Sequence, residues 1–267
     1  MKNYFSGKVV WITGASSGIG ESLAYALAAE GAQLILSSRR QEELERVRKG
    51  CTNPGMVRVH PLDLTDIAGL EAKTAQALAL FGHIDVMVHN GGISQRSLVQ
   101  DTDLAVHRRV MELDYFSYIA LTRHLLPHFL ERKTGHFVVT SSVMGKLGTP
   151  KRSAYAAAKH ALHGYFDCLR AEVAHAGVRV TILTPGYIRT NIALHAVTRD
   201  GTPLGTASEN IDQGLDAATA ARQIVRAVSA GRYEVFIGKF GTERLALWLV
   251  RFFPRFVVRQ ASKFAPK

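Results

Sequence analysis

Short apolar runs alternate with longer segments of helical periodicity along most of the chain. Seven of the runs are predicted to be β-strands, at residues 8–13, 33–38, 57–60, 85–89, 136–141, 179–183 and 234–237. The first run is apolar at consecutive positions from Val9 to Ile12, which is typical of a strand covered on both faces. Helical patterns lie between the runs, for example at 19–29, 66–81 and 153–174. This alternation predicts an α/β fold with a seven-stranded parallel sheet and helices on both faces.

The composition agrees with one globular α/β protein. The 267 residues are 47% hydrophobic and 21% charged, and they suit a single domain with a sizeable core. No uncharged apolar run reaches the roughly eighteen residues of an ordinary spanning helix. The only cysteines, Cys51 and Cys168, form neither a disulfide framework nor a metal-binding spacing. We therefore expect no metal site and a reducing, cytoplasmic setting.

A glycine-rich turn follows the first predicted strand and opens the first predicted helix, and it reads Thr-Gly-Ala-Ser-Ser-Gly-Ile-Gly over 13–20. Gly14 permits a tight turn, Gly18 lets the backbone approach a pyrophosphate, and Gly20 lets the helix pack closely on the strand. Such a turn can also be a plain β-to-α loop. Its place between a buried strand and an amphipathic helix favours a dinucleotide site. The residues expected to bind it are Gly14, Ser16, Ser17, Gly18, Ile19 and Gly20.

The end of the second predicted strand discriminates between NAD and NADP. NAD-binding proteins place an acidic residue there, which accepts a hydrogen bond from the ribose 2′-hydroxyl. This chain instead reads Ser-Ser-Arg-Arg over 37–40. Arg39 could simply cap a surface turn, but a guanidinium can also pair with a 2′-phosphate. We expect Arg39 and Arg40 to bind the cofactor, which is then NADP(H).

Three side chains form a candidate catalytic group near the fifth predicted strand. Tyr155 and Lys159 lie four positions apart, on one face of a predicted helix, and Ser142 follows the strand at the sheet edge where ligands bind. A tyrosine hydroxyl, with an ordinary pKa of about 10, is a poor base at neutral pH unless a nearby ammonium favours the phenolate. An exposed Tyr–Lys pair beside an unrelated serine is the alternative. The position downstream of the glycine turn favours Tyr155 as general acid or base and Ser142 as hydrogen-bond donor to the substrate oxygen.

Together these motifs resemble the short-chain dehydrogenases/reductases of the Tyr-x-x-x-Lys subgroup, over roughly residues 6–240. The resemblance rests on TGASSGIG at 13–20, Asp63-Leu64, HNGG at 89–92, Ser142, YAAAK at 155–159 and PGYIRT at 185–190. Longer segments are similar to relatives of dehydrogenase/reductase family member 7. The resemblance implies a doubly wound Rossmann fold, with one catalytic domain over 1–240 that includes a substrate lid at about 187–215. A basic, aromatic C-terminal extension follows at 241–267.

The resemblance also implies further cofactor contacts. It places Asp63 and Leu64 at the adenine, although Asp63 could instead serve a helix N-cap region. It places Asn90, Gly91 and Gly92 beside the ribose and nicotinamide, with Asn90 also supporting the central sheet. The residues implied to line the nicotinamide are Pro185, Gly186, Ile188 and Thr190, with Tyr155 and Lys159 also in contact; Thr190 would hold the carboxamide or a phosphate. Pro185-Gly186 could alternatively form only a turn.

Two positions depart from the family pattern. Gly91 stands where the family usually has Ala, which is a mild change. Asp114 falls where the family has an Asn whose helix kink holds a water for proton relay to the lysine. Aspartate can accept a hydrogen bond from that water, but its negative charge near Lys159 would partly offset the help given to Tyr155. We expect Asp114 at the catalytic site and an altered pH optimum.

The net charge of +11 is concentrated near the C-terminus. Six Lys and Arg residues and no Asp or Glu lie in 244–267, so about half of the excess charge occupies the last tenth of the chain. This argues against a basic groove across the domain, and we expect no nucleic-acid partner. Aromatic residues among these charges suit a helix at a membrane interface, with contact through 244–264. Burial against the domain or against a second subunit is the alternative, and the family resemblance implies a homodimer or homotetramer.

The leading functional hypothesis is an NADP(H)-dependent oxidoreductase that interconverts a carbonyl and a secondary alcohol. The resemblance suggests a lipophilic small-molecule substrate, such as a steroid, retinoid, lipid-derived or xenobiotic carbonyl. A non-catalytic NADP(H)-binding sensor or scaffold of the same fold is the alternative. Asp114 slightly favours that alternative, whereas the intact Ser142, Tyr155 and Lys159 disfavour it.

Overall fold

The computed structural model describes residues 4–206, 209–239 and 241–264. The strands are β1 (Val9–Thr13), β2 (Gln33–Ser37), β3 (Val57–Val59), β4 (Val86–His89), β5 (Gly135–Thr140), β6 (Val178–Pro185), β7 (Ile188–Arg189), β8 (Leu215–Asp216) and β9 (Glu234–Ile237). Seven of them form one parallel sheet in the order β3-β2-β1-β4-β5-β6-β9, and β7 pairs with β8 in a separate ribbon. The predicted seven-stranded parallel Rossmann sheet is therefore confirmed. Because the strand order reverses between β1 and β4, a crevice for a ligand opens at the carboxyl ends of these two strands.

Helices cover both faces of the sheet. They are α1 (Gly18–Ala29), α2 (Gln41–Gly50), α3 (Leu70–Ala79), α4 (Leu104–Met111), α5 (Ser117–Glu131), α6 (Ser153–Val173), α7 (Glu209–Asp212), α8 (Ala217–Ser229), α9 (Thr242–Phe252) and α10 (Pro254–Ala261). Alternate residues of β1 enter different cores: Val10 and Ile12 pack with α1, α2 and α8, whereas Val9 and Trp11 pack with α3, α5 and α6. This two-sided burial explains why the strand is apolar at every position.

A turn of π-helix, Glu112–Phe116, separates α4 from α5. Such a turn inserts an extra residue into a helix and often marks a functional position. Here it contains Asp114, whose side chain is completely buried. The change of helical phase at this turn therefore coincides with a carboxylate in the protein interior.

Two further segments follow β6: the segment 187–215 and the helices beyond residue 240. The segment 187–215 contains β7 and α7 and ends at the first residue of β8. Val197 within it forms a bridge with Gln95, in the loop that follows β4. Beyond residue 240, α9 and α10 contact each other as a helical pair. The described helices are all too short or too polar to cross a bilayer. The division of the chain at residue 240 and the lid function of 187–215 remain predictions.

Candidate active site

A cleft of about 670 Å³ opens at the carboxyl ends of the central strands. Among the predicted catalytic residues, Ser142, Tyr155, Lys159 and Asp114 all line it. Its lining also contains the predicted cofactor residues Gly14, Ser16, Ser17, Gly18, Ile19, Arg39, Arg40, Asp63, Leu64, Asn90, Gly91, Gly92, Pro185, Gly186, Ile188 and Thr190. Gly20 alone among the predicted residues does not line the cleft. The fold thus brings into one cavity residues that are distributed over most of the sequence.

The glycine turn is tightly packed against the loop that follows β4. Gly14 has a positive φ of +65°, and a Cβ at this position would lie 2.6 Å from the Cα of Gly91. A Cβ at Gly20 would lie 2.2 Å from the carbonyl oxygen of Gly14. Gly20 therefore packs against the turn without lining the cleft. Side chains at either position would push the turn out of place, so the open space above it depends on glycine.

Asn90 ties together three strand ends beneath the turn. Its Nδ2 donates to the carbonyl oxygens of Thr13 and Gly14, at 3.3 and 3.4 Å. Its Oδ1 accepts a hydrogen bond from Thr140 Oγ1 at 3.4 Å. Its backbone N–H donates to Thr13 Oγ1 at 3.0 Å. Asn90 therefore holds the ends of β1, β4 and β5 in register at the floor of the cleft.

A cluster of arginines surrounds Ser16 at one end of the cleft. The Arg40 guanidinium donates to Ser16 Oγ at 3.1 Å, and the Arg40 N–H donates to Ser38 Oγ at 3.2 Å. Arg46, which the sequence interpretation missed, donates from α2 to the Ser16 carbonyl at 3.4 Å and pairs with Glu21 at 2.7 Å. Hydroxyl and guanidinium donors thus converge where the second strand ends.

Asp63 lines the same end of the cleft, and its carboxylate also closes a local turn. Asp63 Oδ1 accepts hydrogen bonds from the N–H and the hydroxyl of Thr65, at 2.9 and 2.8 Å. Partial burial opposes the charged form, but these bonds and the nearby Arg39 outweigh it and lower the pKa of Asp63. Asp63 therefore closes a local turn and also lines the cleft. It is not the N-cap of the short helix that follows, because that residue is Asp66.

Lys159 lies at the centre of the catalytic group. Its Nζ donates to the carbonyl oxygen of Thr140 at 3.1 Å and lies 3.2 Å from Asp114 Oδ2. It also lies 5.6 Å from the ring centroid of Tyr155 and 5.4 Å from that of Tyr118. Lys159 is only 3% exposed and Tyr155 only 8% exposed. The two side chains reach the same cleft, as their spacing of one helical turn on α6 predicts.

The Lys159–Asp114 pair is buried and electrostatically coupled. Burial disfavours the ammonium, but the Asp114 carboxylate, with smaller contributions from Tyr118 and Tyr155, outweighs this effect and raises the pKa of Lys159. Burial raises the pKa of Asp114 and outweighs two groups that lower it. These are the Lys159 ammonium and the Ile93 N–H, which donates to Asp114 Oδ1 at 2.8 Å. The ammonium is therefore partly compensated before it acts on its tyrosine neighbour.

Ser141 and Ser142 follow β5, and their hydroxyl groups make different contacts. Ser142 lines the cleft, and its Oγ accepts a hydrogen bond from the Met144 N–H at 3.1 Å, which leaves its own proton available for donation. The Ser141 Oγ is buried; it donates to the Lys159 carbonyl at 3.1 Å and shares a 3.0 Å hydrogen bond with His163 Nε2. Ser141 thereby fixes the end of β5 to α6, the helix that carries Tyr155 and Lys159.

The sequence interpretation missed two groups that border the cleft. Arg152, three residues before Tyr155, donates to Ser94 Oγ, and burial together with the nearby Arg96 lowers its pKa to about 10. The second group comes from the C-terminal helices: Thr242, Glu243 and Ala246 of α9, and Val257, Gln260 and Ala261 of α10. Arg152 could have been identified as a cleft residue from the sequence, because it lies only three positions before Tyr155. Local periodicity, by contrast, gives no signal that the C-terminal helices reach the cleft.

Glu243 fastens the start of α9 to the loop at Gly186 and Tyr187. Its Oε1 accepts a hydrogen bond from the Tyr187 N–H at 2.6 Å. A Cβ at Gly186 would lie 2.6 Å from Glu243 Oε2, so the carboxylate packs directly on the glycine. In the part of the chain that the structure describes, no three His, Cys, Asp or Glu side chains are grouped as a metal site.

The profile of the short chain dehydrogenase family matches residues 8–200. The chain belongs to the short-chain dehydrogenase/reductase family. Within it, the chain lies in the branch of dehydrogenase/reductase member 7. It is 41% identical to dehydrogenase/reductase SDR family member 7B of Mus musculus over 244 residues, which covers 90% of this chain and 76% of the relative. It is 46% identical to member 7 of Homo sapiens over 211 residues, which covers 77% of this chain and 62% of the relative.

Solved structures of the family share the fold. A short-chain dehydrogenase from Streptomyces avermitilis aligns with a TM-score of 0.82 and 30% identity, over 97% of each chain. A short-chain dehydrogenase/reductase from Burkholderia phymatum, solved in complex with NAD, aligns with a TM-score of 0.82 over 99% of each chain. The latter is 23% identical, so it bears on the fold alone. The chain is therefore a member of an oxidoreductase family whose proteins bind a nicotinamide cofactor and act on small molecules.

Proposed function

We propose that this short-chain dehydrogenase/reductase uses NADP(H) to interconvert a carbonyl and a secondary alcohol of a lipophilic small molecule. One observation carries the proposal: Lys159, Tyr155 and Ser142 meet in one cleft with the glycine turn, and the Lys159 ammonium lies 5.6 Å from the Tyr155 ring. An ammonium at this distance stabilises negative charge that develops on the tyrosine oxygen, which suits Tyr155 to exchange a proton with a substrate.

The cleft fits a dinucleotide. Bare backbone at Gly14 and Gly18 leaves room for a pyrophosphate at the start of α1, where helix N–H groups favour an anion. Thr190 packs over Gly18, with its Cγ2 at 3.0 Å from a Cβ built there, so it borders the same space. The bound cofactor supplies or accepts the hydride, and Pro185, Gly186 and Ile188 would hold its nicotinamide.

The side chains of this protein handle the proton and orient the substrate. In the reducing direction Tyr155 donates its hydroxyl proton to the substrate oxygen, and in the oxidising direction it takes that proton back. Ser142 donates a hydrogen bond to the same oxygen, because its hydroxyl proton is not used by Met144. Lys159 stabilises the phenolate, and its contacts with Thr140 and Asp114 fix its position.

NADP(H) is favoured over NAD(H) by the charge at the end of β2. Arg40 and Arg46 converge on Ser16, and Arg39 lines the same end of the cleft. A 2′-phosphate would accept hydrogen bonds from the Ser16 hydroxyl and from the guanidinium groups, which suit phosphate geometry.

We also propose a lipophilic substrate, since apolar side chains border the cleft around the catalytic group: Leu113, Val143, Met144, Leu147 and Ile192.

The test compares NADPH with NADH as the reductant for a panel of steroid, retinoid, lipid-derived and xenobiotic carbonyls. The rate is measured as the decrease in reduced nicotinamide. The expected result is turnover with NADPH in preference to NADH, on at least one apolar carbonyl. Turnover with NADH alone would contradict the cofactor assignment, and turnover restricted to small polar carbonyls would contradict the substrate class.

A non-catalytic NADP(H)-binding sensor is the second candidate. The buried Asp114 carboxylate favours it, because its negative charge offsets the field of the Lys159 ammonium, which then gives less help to Tyr155. A sensor would bind NADPH in a direct titration and would show no turnover on any carbonyl.

A further inference from the structure

The C-terminal hairpin, defined here as residues 242–264, has two different faces. Its inner face borders the catalytic cleft through Ala246 of α9 and through Val257 and Ala261 of α10. Glu243 fastens its start to the loop at Gly186 and Tyr187. The hairpin is therefore a wall of the cleft and is anchored beside the expected nicotinamide position.

The outer face of the hairpin exposes large apolar side chains. On α9, Leu245, Trp248 and Phe252 follow helical spacing and are 55%, 54% and 60% exposed. Phe253 and Phe256, at the junction with α10 and in its first turn, are 53% and 51% exposed. The Trp248 ring lies 5.1 Å from that of Phe252 and 5.9 Å from that of Phe253, so these side chains form one aromatic patch. A contiguous patch of this kind indicates an interaction surface.

Positive charge surrounds the aromatic patch. Arg251, Arg255, Arg259 and Lys263 are exposed on the hairpin, and residues 244–264 contain no Asp or Glu. A two-fold contact between two copies would place this patch against itself, so that four cations would face the same four cations. Headgroups of anionic lipids instead pair with the cations, while aromatic side chains enter the boundary between headgroups and acyl chains. The charge pattern therefore selects an anionic lipid surface over a second copy of the chain.

We propose that the outer face of the C-terminal hairpin docks on anionic bilayers, so that a lipophilic substrate passes from the membrane surface into the cleft behind the hairpin. The docking follows from the hairpin alone. The delivery of substrate rests on the proposed function, because it requires an apolar carbonyl as substrate.

The two tryptophans allow docking to be measured without any activity. Trp11 is completely buried in the sheet, whereas Trp248 is in the aromatic patch, so a change in tryptophan fluorescence on adding vesicles reports the hairpin. The intact chain is titrated with phosphatidylcholine vesicles and with vesicles that contain phosphatidylglycerol. The expected result is a blue shift and co-sedimentation with the anionic vesicles, weakened by high salt. Equal binding to neutral and anionic vesicles, or no binding to either, would overturn the proposal.

Matched variants separate the two components of the surface. Phe252→Ser should lower the affinity for anionic vesicles about tenfold, because less apolar area enters the interface. The double variant Arg255→Ser and Arg259→Ser should lower it about fivefold for each charge removed. Leu104→Ser, which removes a side chain 63% exposed outside the hairpin, is the control and should bind as the intact chain does. Identical binding by all the variants would overturn the proposal, as would a dimer in solution that Phe252→Ser dissociates without any vesicle binding.

Substrate delivery needs a second readout. Turnover is compared for an apolar carbonyl carried in anionic vesicles and for a water-soluble carbonyl. Phe252→Ser should lose most of the vesicle-borne turnover and keep the soluble turnover. Loss of both to the same degree would overturn delivery, whereas absence of all turnover with vesicle binding intact would refute the proposed function and leave docking standing.

Discussion

Replacing Asp114 with Asn removes one negative charge from the buried site and keeps the shape of the side chain. Asp114 Oδ2 lies 3.2 Å from the Lys159 ammonium, and its other oxygen accepts the Ile93 N–H at 2.8 Å. In Asp114→Asn the single amide oxygen can accept from either the Ile93 N–H or the Lys159 ammonium, but not from both. Because the family resemblance gives an asparagine at this position, the π-helical turn is expected to persist. Lys159 still donates to the Thr140 carbonyl. Its pKa should fall relative to the natural chain, because the Asp114 carboxylate no longer opposes the effect of burial, and we expect the Thr140 carbonyl to keep the ammonium protonated at neutral pH.

The magnitude follows from the distance between Lys159 and Tyr155. Lys159 Nζ lies 5.6 Å from the centroid of the Tyr155 ring. Coulomb's law with an effective dielectric constant of about 20 gives about 3 kcal/mol for two unit charges at that separation. In the natural chain, the Asp114 carboxylate in contact with the ammonium should cancel roughly half of this attraction. Removing the carboxylate should therefore stabilise negative charge that develops on the Tyr155 oxygen by about 1.4 kcal/mol, which is about tenfold in rate.

The assay is the pH dependence of kcat/KM for alcohol oxidation, which reports the ionisation of the free enzyme. On the acidic side of the profile, kcat/KM of Asp114→Asn should be about tenfold higher than that of the natural chain. Asp101→Asn, which removes an exposed carboxylate from the loop before α4, is the control and should leave the profile unchanged. Superimposable profiles for Asp114→Asn and the natural chain would contradict this prediction, and so would a lower kcat/KM for Asp114→Asn on the acidic side.

Three further substitutions test other parts of the account. Gly20→Ala would place a Cβ 2.2 Å from the Gly14 carbonyl oxygen. It should lower both NADPH affinity in a titration and the free energy of unfolding, the latter by about 1–3 kcal/mol, whereas Gly164→Ala, in open space on α6, should be neutral or stabilising. Arg40→Ala should weaken NADPH binding about tenfold or more and leave NADH binding unchanged, and equal losses for both would contradict the phosphate contact. Burial lowers the pKa of His89 to about 3, so the stability of its neutral ring is complete above about pH 6.5 and is lost as pH falls toward 3, at about 1.4 kcal/mol per pH unit. The buried His136 and His163, whose pKa values are also lowered, contribute to the same pH dependence. Urea unfolding of His89→Asn should therefore show a slope smaller by about 1.4 kcal/mol per pH unit below pH 6.5, and an unchanged slope would exclude a contribution from His89.

The sheet and the glycine turn could be predicted because each of their residues has a local physical requirement. A strand buried on both faces needs apolar side chains at every position, as Val9 and Val10 illustrate. The tight turn needs Gly14, because no Cβ fits against Gly91. Tyr155 and Lys159 had to share a face because four residues make about one helical turn.

The remaining features depend on contacts between distant segments. Nothing in the sequence near Glu243 shows that its carboxylate accepts the Tyr187 N–H, since the two residues meet only when the start of α9 lies against the loop between β6 and β7. Helical periodicity shows that α9 and α10 are amphipathic but does not show what each face contacts. Arg46 was missed for the same reason, because its contact with Ser16 spans from one helix to another segment.

The most direct test of the central claim compares Tyr155→Phe with the natural chain for NADPH affinity and for turnover of the best carbonyl from the panel. Tyr155→Phe keeps the ring over Lys159 and removes only the hydroxyl that exchanges the proton. We expect similar NADPH affinity and a loss of turnover of about 10²–10⁴-fold. Turnover that survives in Tyr155→Phe, or NADPH binding without turnover in the natural chain, would contradict it.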